Sequence, residues 1–276
     1  MVEALEWTRS DTARFLRAPS AADDKYSRGV VALRTGSSAY PGAAVLSVEA
    51  AWRAGAGFVR FVGEERVADA VLARRPETVT GRDVGRTRVD CWVIGSGTDA
   101  ADRGADEQEA LEAVLAGPSR VVVDAGALDL VGRVAAPALL TPHAGEFATL
   151  RERLRLRTGG DRPAEVREAA AAIGATVLLK GSRTLIAAPD GDIIAVSAGT
   201  GWLSTAGTGD VLGGALGALL AANPTASVHE AAAAGAWLHG YAARLASGSE
   251  NGRRGHPIVA LDVAQALPRA IADVLA

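Results

Sequence analysis

Short β-rich runs alternate with longer amphipathic or alanine-rich segments along most of this chain. The candidate strands span residues 30–33, 58–62, 91–94, 120–124, 138–140 and 176–180. The candidate helices span residues 42–54, 66–73, 106–116, 163–173, 210–222 and 228–246. This alternation predicts βαβ units, and therefore an α/β fold in which helices cover both faces of a mostly parallel central sheet.

Two further apolar runs, residues 184–188 and 193–196, flank the turn Pro189-Asp190-Gly191-Asp192. Turn-forming residues between two apolar runs favour a β-hairpin. We therefore expect a hairpin after the candidate strand at 176–180.

The length and charge of the chain limit its number of domains and its classes of binding partner. Its 276 residues, 49% of them hydrophobic, are enough for one large α/β domain over residues 1–276, with residues 1–23 as an N-terminal extension or helix. The net charge of -3 comes from 29 basic and 32 acidic residues scattered along the sequence. No basic face stands out, so we expect neither nucleic acid nor an anionic membrane surface as a partner.

Membrane insertion and export are also disfavoured. The longest uncharged stretch, residues 211–228, is interrupted by glycines and by Asn223-Pro224, which predicts a buried helix and not a membrane span. The N-terminus has no apolar stretch typical of a secretory signal. The single cysteine, Cys91, lies in an apolar run and is expected to be buried. We therefore expect a soluble, cytoplasmic protein.

A glycine-rich segment, Thr205-Ala206-Gly207-Thr208-Gly209-Asp210, precedes an apolar helix. Glycines at a helix N-terminus let backbone N–H groups approach a phosphate, and the helix dipole adds partial positive charge. A carboxylate there would repel a bound anion, which favours Asp210 as a base in phosphoryl transfer. The alternative is that Asp210 caps the helix. The segment matches neither GxxxxGK[ST] nor GxGxxG, so another nucleotide-binding architecture is required.

A second polar segment, Thr141-Pro142-His143-Ala144-Gly145-Glu146, directly follows a candidate strand. Ligands of parallel α/β sheets bind beyond the carboxyl ends of strands, so His143 and Glu146 are placed for a site. The alternative is a helix start capped by Thr141, with Glu146 in the first turn.

A third segment begins with Lys180, which is one of only two lysines in the chain, the other being Lys25. A compact ammonium before a turn indicates a phosphate ligand, and the alternative is an exposed charge at a strand end. Two turns consist mostly of small residues. Residues 36–44 open a candidate helix, and Gly95-Ser96-Gly97 follows a candidate strand. Either turn could receive a flat or phosphorylated ligand.

Taken together, the segments show a resemblance to a known family. Their order is Asp24-Lys25-Tyr26, residues 36–44, Gly95-Ser96-Gly97, Asp124-Ala125-Gly126-Ala127-Leu128, residues 140–147, Lys180-Gly181 and residues 207–212. This order resembles the NAD(P)H-hydrate dehydratases of the ribokinase-like superfamily, from about Asp24 onward. The combination of TPHxGE with GTGDVL is specific to that family, whereas GTGD alone indicates only a ribokinase-like enzyme.

The resemblance implies a three-layer α/β/α fold and a metabolite-repair lyase. Such an enzyme uses ADP or ATP, with Mg²⁺, to phosphorylate the ring hydroxyl of the S form of hydrated NADH or NADPH, and loss of phosphate restores the cofactor. The metal ligands are not implied, and relatives are often tetramers, so a homo-oligomer is expected.

The resemblance also implies roles for individual residues. Asp210 is the expected base and, with Ala43 or Ala44, Gly97 and His143, contacts the hydrated cofactor, whereas Glu146 and Gly207 support the site. The expected nucleotide-binding residues are Lys180, Gly181, Ser182, Arg183, Thr184, Thr208 and Gly209.

The chain departs from the family pattern at several positions. Many relatives have His-Lys-Gly in place of Asp24-Lys25-Tyr26, Asn in place of Thr200 and Thr in place of Gly213. The shorter Thr200 affects a nucleotide contact, which is lost or made through water. Many relatives also carry an N-terminal epimerase domain, and about two dozen residues before the matching region are too few for one, so no epimerase activity is expected.

Two other functions fit parts of the pattern. A small-molecule kinase of the same fold would use Asp210 in the same way but release a phosphorylated product. A catalytically silent nucleotide-binding protein is the other alternative, although the presence of Asp210 disfavours it.

Overall fold

The computed structural model describes residues 3–133, 135, 137–157 and 159–276, and of Arg133 only the backbone. Residues 1 and 2 of the expected N-terminal extension lie outside the described residues. The rest of that extension contains a short strand and a short helix, Leu5–Glu6 and Arg9–Ala13.

The described strands form one sheet. In chain order they are β1 (Leu5–Glu6), β2 (Val30–Arg34), β3 (Phe58–Val62), β4 (Val79–Gly81), β5 (Cys91–Ile94), β6 (Arg120–Val123), β7 (Ala138–Leu140), β8 (Thr176–Leu179), β9 (Thr184–Ala187) and β10 (Ile193–Val196). Their order across the sheet is β1-β10-β9-β8-β7-β6-β5-β2-β3-β4. Only β9 runs antiparallel to its neighbours, and β9 with β10 is the predicted hairpin. The mostly parallel sheet is therefore confirmed.

Helices pack on both faces of this sheet. They are α1 (Arg9–Ala13), α2 (Pro41–Arg53), α3 (Glu65–Arg74), α4 (Ala105–Ala116), α5 (Ala144–Arg153), α6 (Arg162–Ile173), α7 (Thr208–Ala222), α8 (Val228–Ser247) and α9 (Ala260–Leu275). One core cluster joins one sheet face to α2, α7, α8 and α9, and a second joins the other face to α4, α5 and α6. The three-layer α/β/α architecture is confirmed. Across the described residues, no helix combines the length and apolar character needed to cross a bilayer.

Every predicted strand and helix has a counterpart within two residues of its expected ends. Strands β1 and β4 and helix α9 are not among the predicted elements, and the start of helix α5 is predicted only as an alternative to a ligand segment. The two strands are only two and three residues long, so an apolar alternation hardly shows in them. Helix α9 contains Pro268, which usually interrupts a helix.

The central helix α7 lies unusually close to α2. A Cβ added to Gly214 of α7 would lie 2.0 Å from the carbonyl oxygen of Ser47 in α2. Only glycine allows this approach of the two backbones. The packing fixes the N-terminus of α7, and with it Asp210, beside the sheet.

Parallel strands bring the chemically interesting segments to one edge. The strands β8, β7, β6, β5 and β2 are consecutive neighbours and mutually parallel. Two of them end one residue earlier than expected, at Val123 and Leu179, so Asp124 and Lys180 are the first residues beyond their strands. The segments that follow these strands therefore meet at the carboxyl edge of the sheet.

Candidate active site

A chain of polar contacts runs along this edge through Ser96. Its Oγ lies 2.8 Å from Oδ1 of Asp210 and 3.2 Å from Oδ2 of Asp124. Lys180 Nζ donates to the other oxygen of Asp124 over 2.7 Å. Because a serine hydroxyl has one proton, it donates to one carboxylate at a time, and the shorter distance favours Asp210. The contacts thus connect the predicted base to the predicted nucleotide ligand.

The carboxylate of Asp210 does not cap helix α7. The N-cap residue is Gly207, and no side-chain capping bond is formed at this helix start. Burial raises the pKa of Asp210, and the nearby charge of Asp124 acts in the same direction. The hydrogen bond from Ser96 and the charge of Lys180 oppose this rise. A partly buried carboxylate with a raised pKa is better suited to accept a proton than an exposed aspartate.

Lys180 is not an exposed strand-end charge. Its side chain is 21% exposed and lies 2.7 Å from Asp124 and 3.9 Å from Glu146. Its Nζ also lies 3.7 Å from the position that a Cβ on Gly209 would occupy. The ammonium group therefore lies over the N-terminus of α7, where an anion would bind.

His143 and Glu146 form a reciprocal cap at the start of α5. The Nδ1 of His143 accepts from the N–H groups of Gly145 and Glu146 at 3.0 and 3.2 Å, and Glu146 Oε2 accepts from the N–H of His143 at 2.7 Å. The cap is thus His143 and not Thr141, because the helix begins at Ala144. Since Nδ1 is an acceptor, the neutral ring carries its proton on Nε2. The side chain is 60% exposed and can present this N–H to a ligand.

Gly97 lies against the start of α2. A Cβ on Gly97 would lie 2.4 Å from Cβ of Ala43 and 3.0 Å from Cα of Gly36, and its φ is +69°. Ala43 has 8% of its surface exposed, whereas Ala44 is completely buried. Of the two alanines, only Ala43 has surface that a ligand could contact.

A cavity of about 420 Å³ lies beside Lys180 and the N-terminus of α7. It is lined by Lys180, Gly181, Ser182, Thr184, Val196, Gly199, Thr200, Gly201, Leu203, Ser204, Thr208, Gly209, Leu212, Ala236, His239 and Gly240. We call it the nucleotide cavity, after the residues in its wall that are expected to bind nucleotide. Six of the seven residues expected to bind nucleotide line it; the exception, Arg183, pairs at 3.3 Å with Glu6 of β1. Thr200 lines the cavity, whereas Gly213 packs against Val93.

His239 was not identified from the sequence. It lies in the alanine-rich helix α8, is 7% exposed, and its Nε2 has no hydrogen-bond partner among the described residues. Burial lowers the pKa of His239 to about 4, so the ring is neutral at physiological pH. The signal available in the sequence was a lone ionisable residue within the segment Ala236-Trp237-Leu238-His239-Gly240.

Comparisons with known proteins show what this chain is similar to. A family model for NAD(P)H-hydrate dehydratases matches residues 31–265. The bifunctional NAD(P)H-hydrate repair enzyme of Mycobacterium tuberculosis is 43% identical over 227 residues, which cover 79% of this chain and 46% of that protein. This chain therefore spans about half the length of that relative. The ADP-dependent (S)-NAD(P)H-hydrate dehydratase of Neisseria meningitidis is 38% identical, with 78% of this chain and 76% of that protein covered.

A solved structure is similar over the whole length. The ADP/ATP-dependent NAD(P)H-hydrate dehydratase of Bacillus subtilis, co-crystallised with ATP and Mg²⁺, superposes with a TM-score of 0.84 at 28% identity. The match covers 99% of this chain and 100% of that one, and confirms the ribokinase-like fold. The extent of the family match, together with these similarities, shows that the chain belongs to the NAD(P)H-hydrate dehydratase family.

Proposed function

We propose that this protein restores NADH and NADPH from their hydrated S forms in a nucleotide-dependent dehydration. The observation that carries the proposal is the position of Asp210. Its neighbours Thr208 and Gly209 line the nucleotide cavity, while its carboxylate is bonded to Ser96, next to Gly97. A base thus lies between an anion-binding helix N-terminus and the residues proposed to contact the hydrated cofactor.

In the proposed reaction, the oxygen of the ring hydroxyl attacks the terminal phosphorus of the nucleotide. Asp210 accepts the proton of that hydroxyl as the attack proceeds. The new O–P bond forms while the bond to the leaving nucleotide breaks. The carbon–oxygen bond then breaks, and its electron pair leaves with phosphate. The neighbouring carbon loses a proton to solvent, and the electron pair of that C–H bond forms the ring double bond. The oxygen of the ring hydroxyl thereby leaves as part of the phosphate. The phosphorylated ring is therefore an intermediate and not the product.

The nucleotide phosphates would be held by Lys180 and by the N–H groups at the start of α7. Lys180 is bonded to Asp124 in this structure, and a bound phosphate would compete for its ammonium group. Gly181, Ser182, Thr184, Thr208 and Gly209 supply small or hydroxyl side chains along the cavity wall. Arg183 is the least suitable of the proposed nucleotide ligands, because its guanidinium group pairs with Glu6 outside the cavity.

The hydrated cofactor would contact Ala43, Gly97 and the exposed ring of His143. The Nε2–H of His143 lies on the same edge of the sheet as Asp210 and is suited to donate to a carbonyl or phosphate oxygen. Glu146 maintains the orientation of the ring through the reciprocal cap, with its Oε1 3.4 Å from Nε2. Ala44 would act by packing, since it has no exposed surface.

The residues present fit an assisting Mg²⁺ ion. Among the described residues no group of three or more His, Cys, Asp or Glu side chains is placed to hold a metal. Mg²⁺ commonly binds through one or two carboxylates together with phosphates and water. Asp124 and Glu146, which flank Lys180, would be those carboxylates. The ion would neutralise charge on the transferred phosphoryl group.

The test is recovery of the reduced-nicotinamide absorbance when the protein is mixed with hydrated NADH or NADPH, Mg²⁺ and either ADP or ATP. We expect recovery with at least one nucleotide, and recovery at least a hundredfold slower, on the order of the loss of a general base, with the Asp210→Asn variant. A stable phosphorylated product would favour the kinase alternative. Nucleotide binding without any turnover would favour the silent binding protein. Sedimentation of the same samples tests the expected homo-oligomer.

A further inference from the structure

A second cavity, of about 280 Å³, lies beyond the carboxyl end of β2. Its lining includes Thr35, Gly36, Tyr40, Glu64, Asp99 and Asp102. We call it the acidic pocket. The N–H of Gly36 donates to the carbonyl of Ser96 over 2.6 Å, and Gly36 is also the neighbour of Gly97. The acidic pocket therefore adjoins the proposed cofactor-contacting residues, whereas the nucleotide cavity lies at Thr208 and Gly209.

Thr35, one of the residues that line the acidic pocket, has an unsatisfied hydroxyl group. The residue is 2% exposed, and its Oγ1 has no hydrogen-bond partner among the described residues. A buried polar atom without a hydrogen-bond partner destabilises the folded state. Such atoms are rare in native proteins and call for an explanation. A hydroxyl or amino group of a ligand in the pocket would provide the missing hydrogen bond.

Tyr40 gives the acidic pocket an exposed aromatic ring. The residue is 64% exposed, so its ring is accessible to a ligand. It is the N-cap residue of α2, so its backbone position is fixed by the helix that also carries Ala43. An accessible ring of this kind can stack with a purine base.

The charge of the acidic pocket is negative. Its two arginines are already paired. Arg34 donates to both carboxylate oxygens of Glu107, which also lines the pocket, at 3.0 Å, and Arg103 donates to Asp129 at 2.6 and 3.1 Å.

The three remaining carboxylates have no basic partner within the described part of the chain. Glu64 accepts from Ser38, and Asp99 accepts from the N–H of Ala101. Asp102 is exposed at the rim. Carboxylates favour the free hydroxyls of a ribose and repel a phosphate attached to that ribose.

We propose, on the basis of the function proposed above, that the acidic pocket binds the adenosine end of the hydrated dinucleotide and selects NADH hydrate over NADPH hydrate. The base stacks on Tyr40, the hydroxyl of Thr35 bonds to the bound adenosine, and the carboxylates receive the ribose hydroxyls. The 2′-phosphate of NADPH hydrate meets three uncompensated negative charges. These carboxylates lie at the surface, so the selectivity weakens as added salt screens them.

The first experiment compares kcat/KM for the two hydrates. We expect the wild-type protein to prefer NADH hydrate by roughly tenfold at low ionic strength, with the ratio falling as salt is added. The variants Glu64→Gln, Asp99→Asn and Asp102→Asn should each raise kcat/KM for NADPH hydrate and reduce the ratio. Asp69→Asn, which removes an equal charge from the exposed face of α3, is the matched control and should leave the ratio unchanged. An equal response to Asp69→Asn, or no response to the pocket variants, would overturn the proposal.

The second experiment measures binding without turnover, so that it separates this proposal from the proposed function. With ADP saturating the nucleotide cavity, ADP-ribose should bind more tightly than 2′-phospho-ADP-ribose, and Tyr40→Ala should weaken both by roughly tenfold. Preferential loss of 2′-phospho-ADP-ribose binding in Arg153→Gln would place the adenosine in the adjacent cavity lined by Asp129, Thr149 and Arg153, and would refute the acidic pocket. Absence of turnover with intact binding preferences would instead contradict the proposed function alone.

Discussion

The hydroxyl of Ser96 donates to the carboxylate of Asp210 over 2.8 Å, although the two residues are 114 positions apart in the chain. Ser96 follows β5, and Asp210 lies in the first turn of α7. This bond holds the carboxylate away from the capping position and toward the edge of the sheet where the proposed substrates meet.

Replacing Asp210 by asparagine is expected to slow turnover strongly and to stabilise the fold. Loss of a general base lowers kcat by about 10²–10⁴-fold. Burial raises the pKa of Asp210, so the folded state binds its proton more tightly than the unfolded chain and is penalised at neutral pH, where the group is charged. Asparagine removes this penalty while retaining an acceptor for Ser96. Thermal or urea unfolding at pH 7 checks the gain, and an unchanged kcat would refute the role as base.

Replacing Ser96 by alanine is expected to shift the pH profile of kcat/KM to higher pH. The hydrogen bond from Ser96 lowers the pKa of Asp210, so its loss allows burial to raise that pKa further. A base must be deprotonated to act, and the acidic limb of kcat/KM should therefore move to higher pH. Profiles of the wild type, Ser96→Ala and the surface control Ser10→Ala decide this. A shift to lower pH, or none, would contradict the assignment.

Lys180→Met is expected to weaken nucleotide binding while the fold is retained. A hydrogen bond to a charged group contributes about 1.5–3 kcal/mol, which corresponds to an increase in Kd of roughly 10- to 100-fold. Lys25→Met is the matched control, because Lys25 is the other lysine and lies over the rings of Tyr26 and Phe58. Calorimetry with ADP and ATP gives the affinities. Equal nucleotide Kd values for the two variants would contradict the role of Lys180 as a nucleotide ligand.

Gly97→Ala is expected to damage the substrate site selectively. The new Cβ would lie 2.4 Å from Cβ of Ala43, and the φ of +69° is unfavourable for alanine. We expect a destabilisation of about 1–3 kcal/mol and a large fall in kcat/KM for the hydrate, with nucleotide affinity retained. Gly42→Ala is the control, because no atom lies within 4 Å of its added Cβ. Full activity of Gly97→Ala would show that Gly97 does not shape the site.

His239 is expected to lower the stability of the folded protein at acidic pH. Burial lowers the pKa of His239 to about 4, below the value near 6.5 in the unfolded chain. The unfolded state therefore binds the proton more tightly, and stability falls as the pH drops from about 6.5 to 4, by about 3 kcal/mol in total. Urea unfolding across this range should show a smaller loss for His239→Asn than for the wild type. His229→Asn, on the same helix, should retain the wild-type pH dependence.

Much of the fold could be predicted from the sequence, because local periodicity reports local structure. The strands from β2 to β10 that were predicted are buried and four or five residues long, apart from the three-residue β7, and their apolar runs are unmistakable. The edge strands β1 and β4 are too short for such a signal. For α5 the sequence leaves a ligand segment and a helix start as alternatives, and in the structure both hold, because His143 caps the helix and also presents its ring.

The candidate site was only partly predictable. Parallel strands end at one edge, so residues following β5, β6, β7 and β8 could be expected to meet there, and His143 is identified on that basis. Asp210 is identified instead from the glycine-rich helix start, and Lys180 from the scarcity of lysine and its place before a turn. The role of Ser96 as a bridge was not predictable, since hydroxyl residues are common beside glycine turns. Nor could the sequence separate Arg183, which pairs with Glu6, from Ser182, which lines the nucleotide cavity.

The sequence by itself therefore determined the fold class, the family resemblance and the segments that carry the chemistry, because these depend on residue type and spacing along the chain. Only the tertiary structure decided which interpretation of each segment is compatible with its surroundings. Asp210 is bonded to Ser96 and does not cap its helix, Lys180 is paired with Asp124, and the hydroxyl of Thr35 and the ring of His239 are buried with unpartnered atoms in the described structure. These facts depend on contacts between residues far apart in sequence, and such contacts exist only after the sheet and helices have packed.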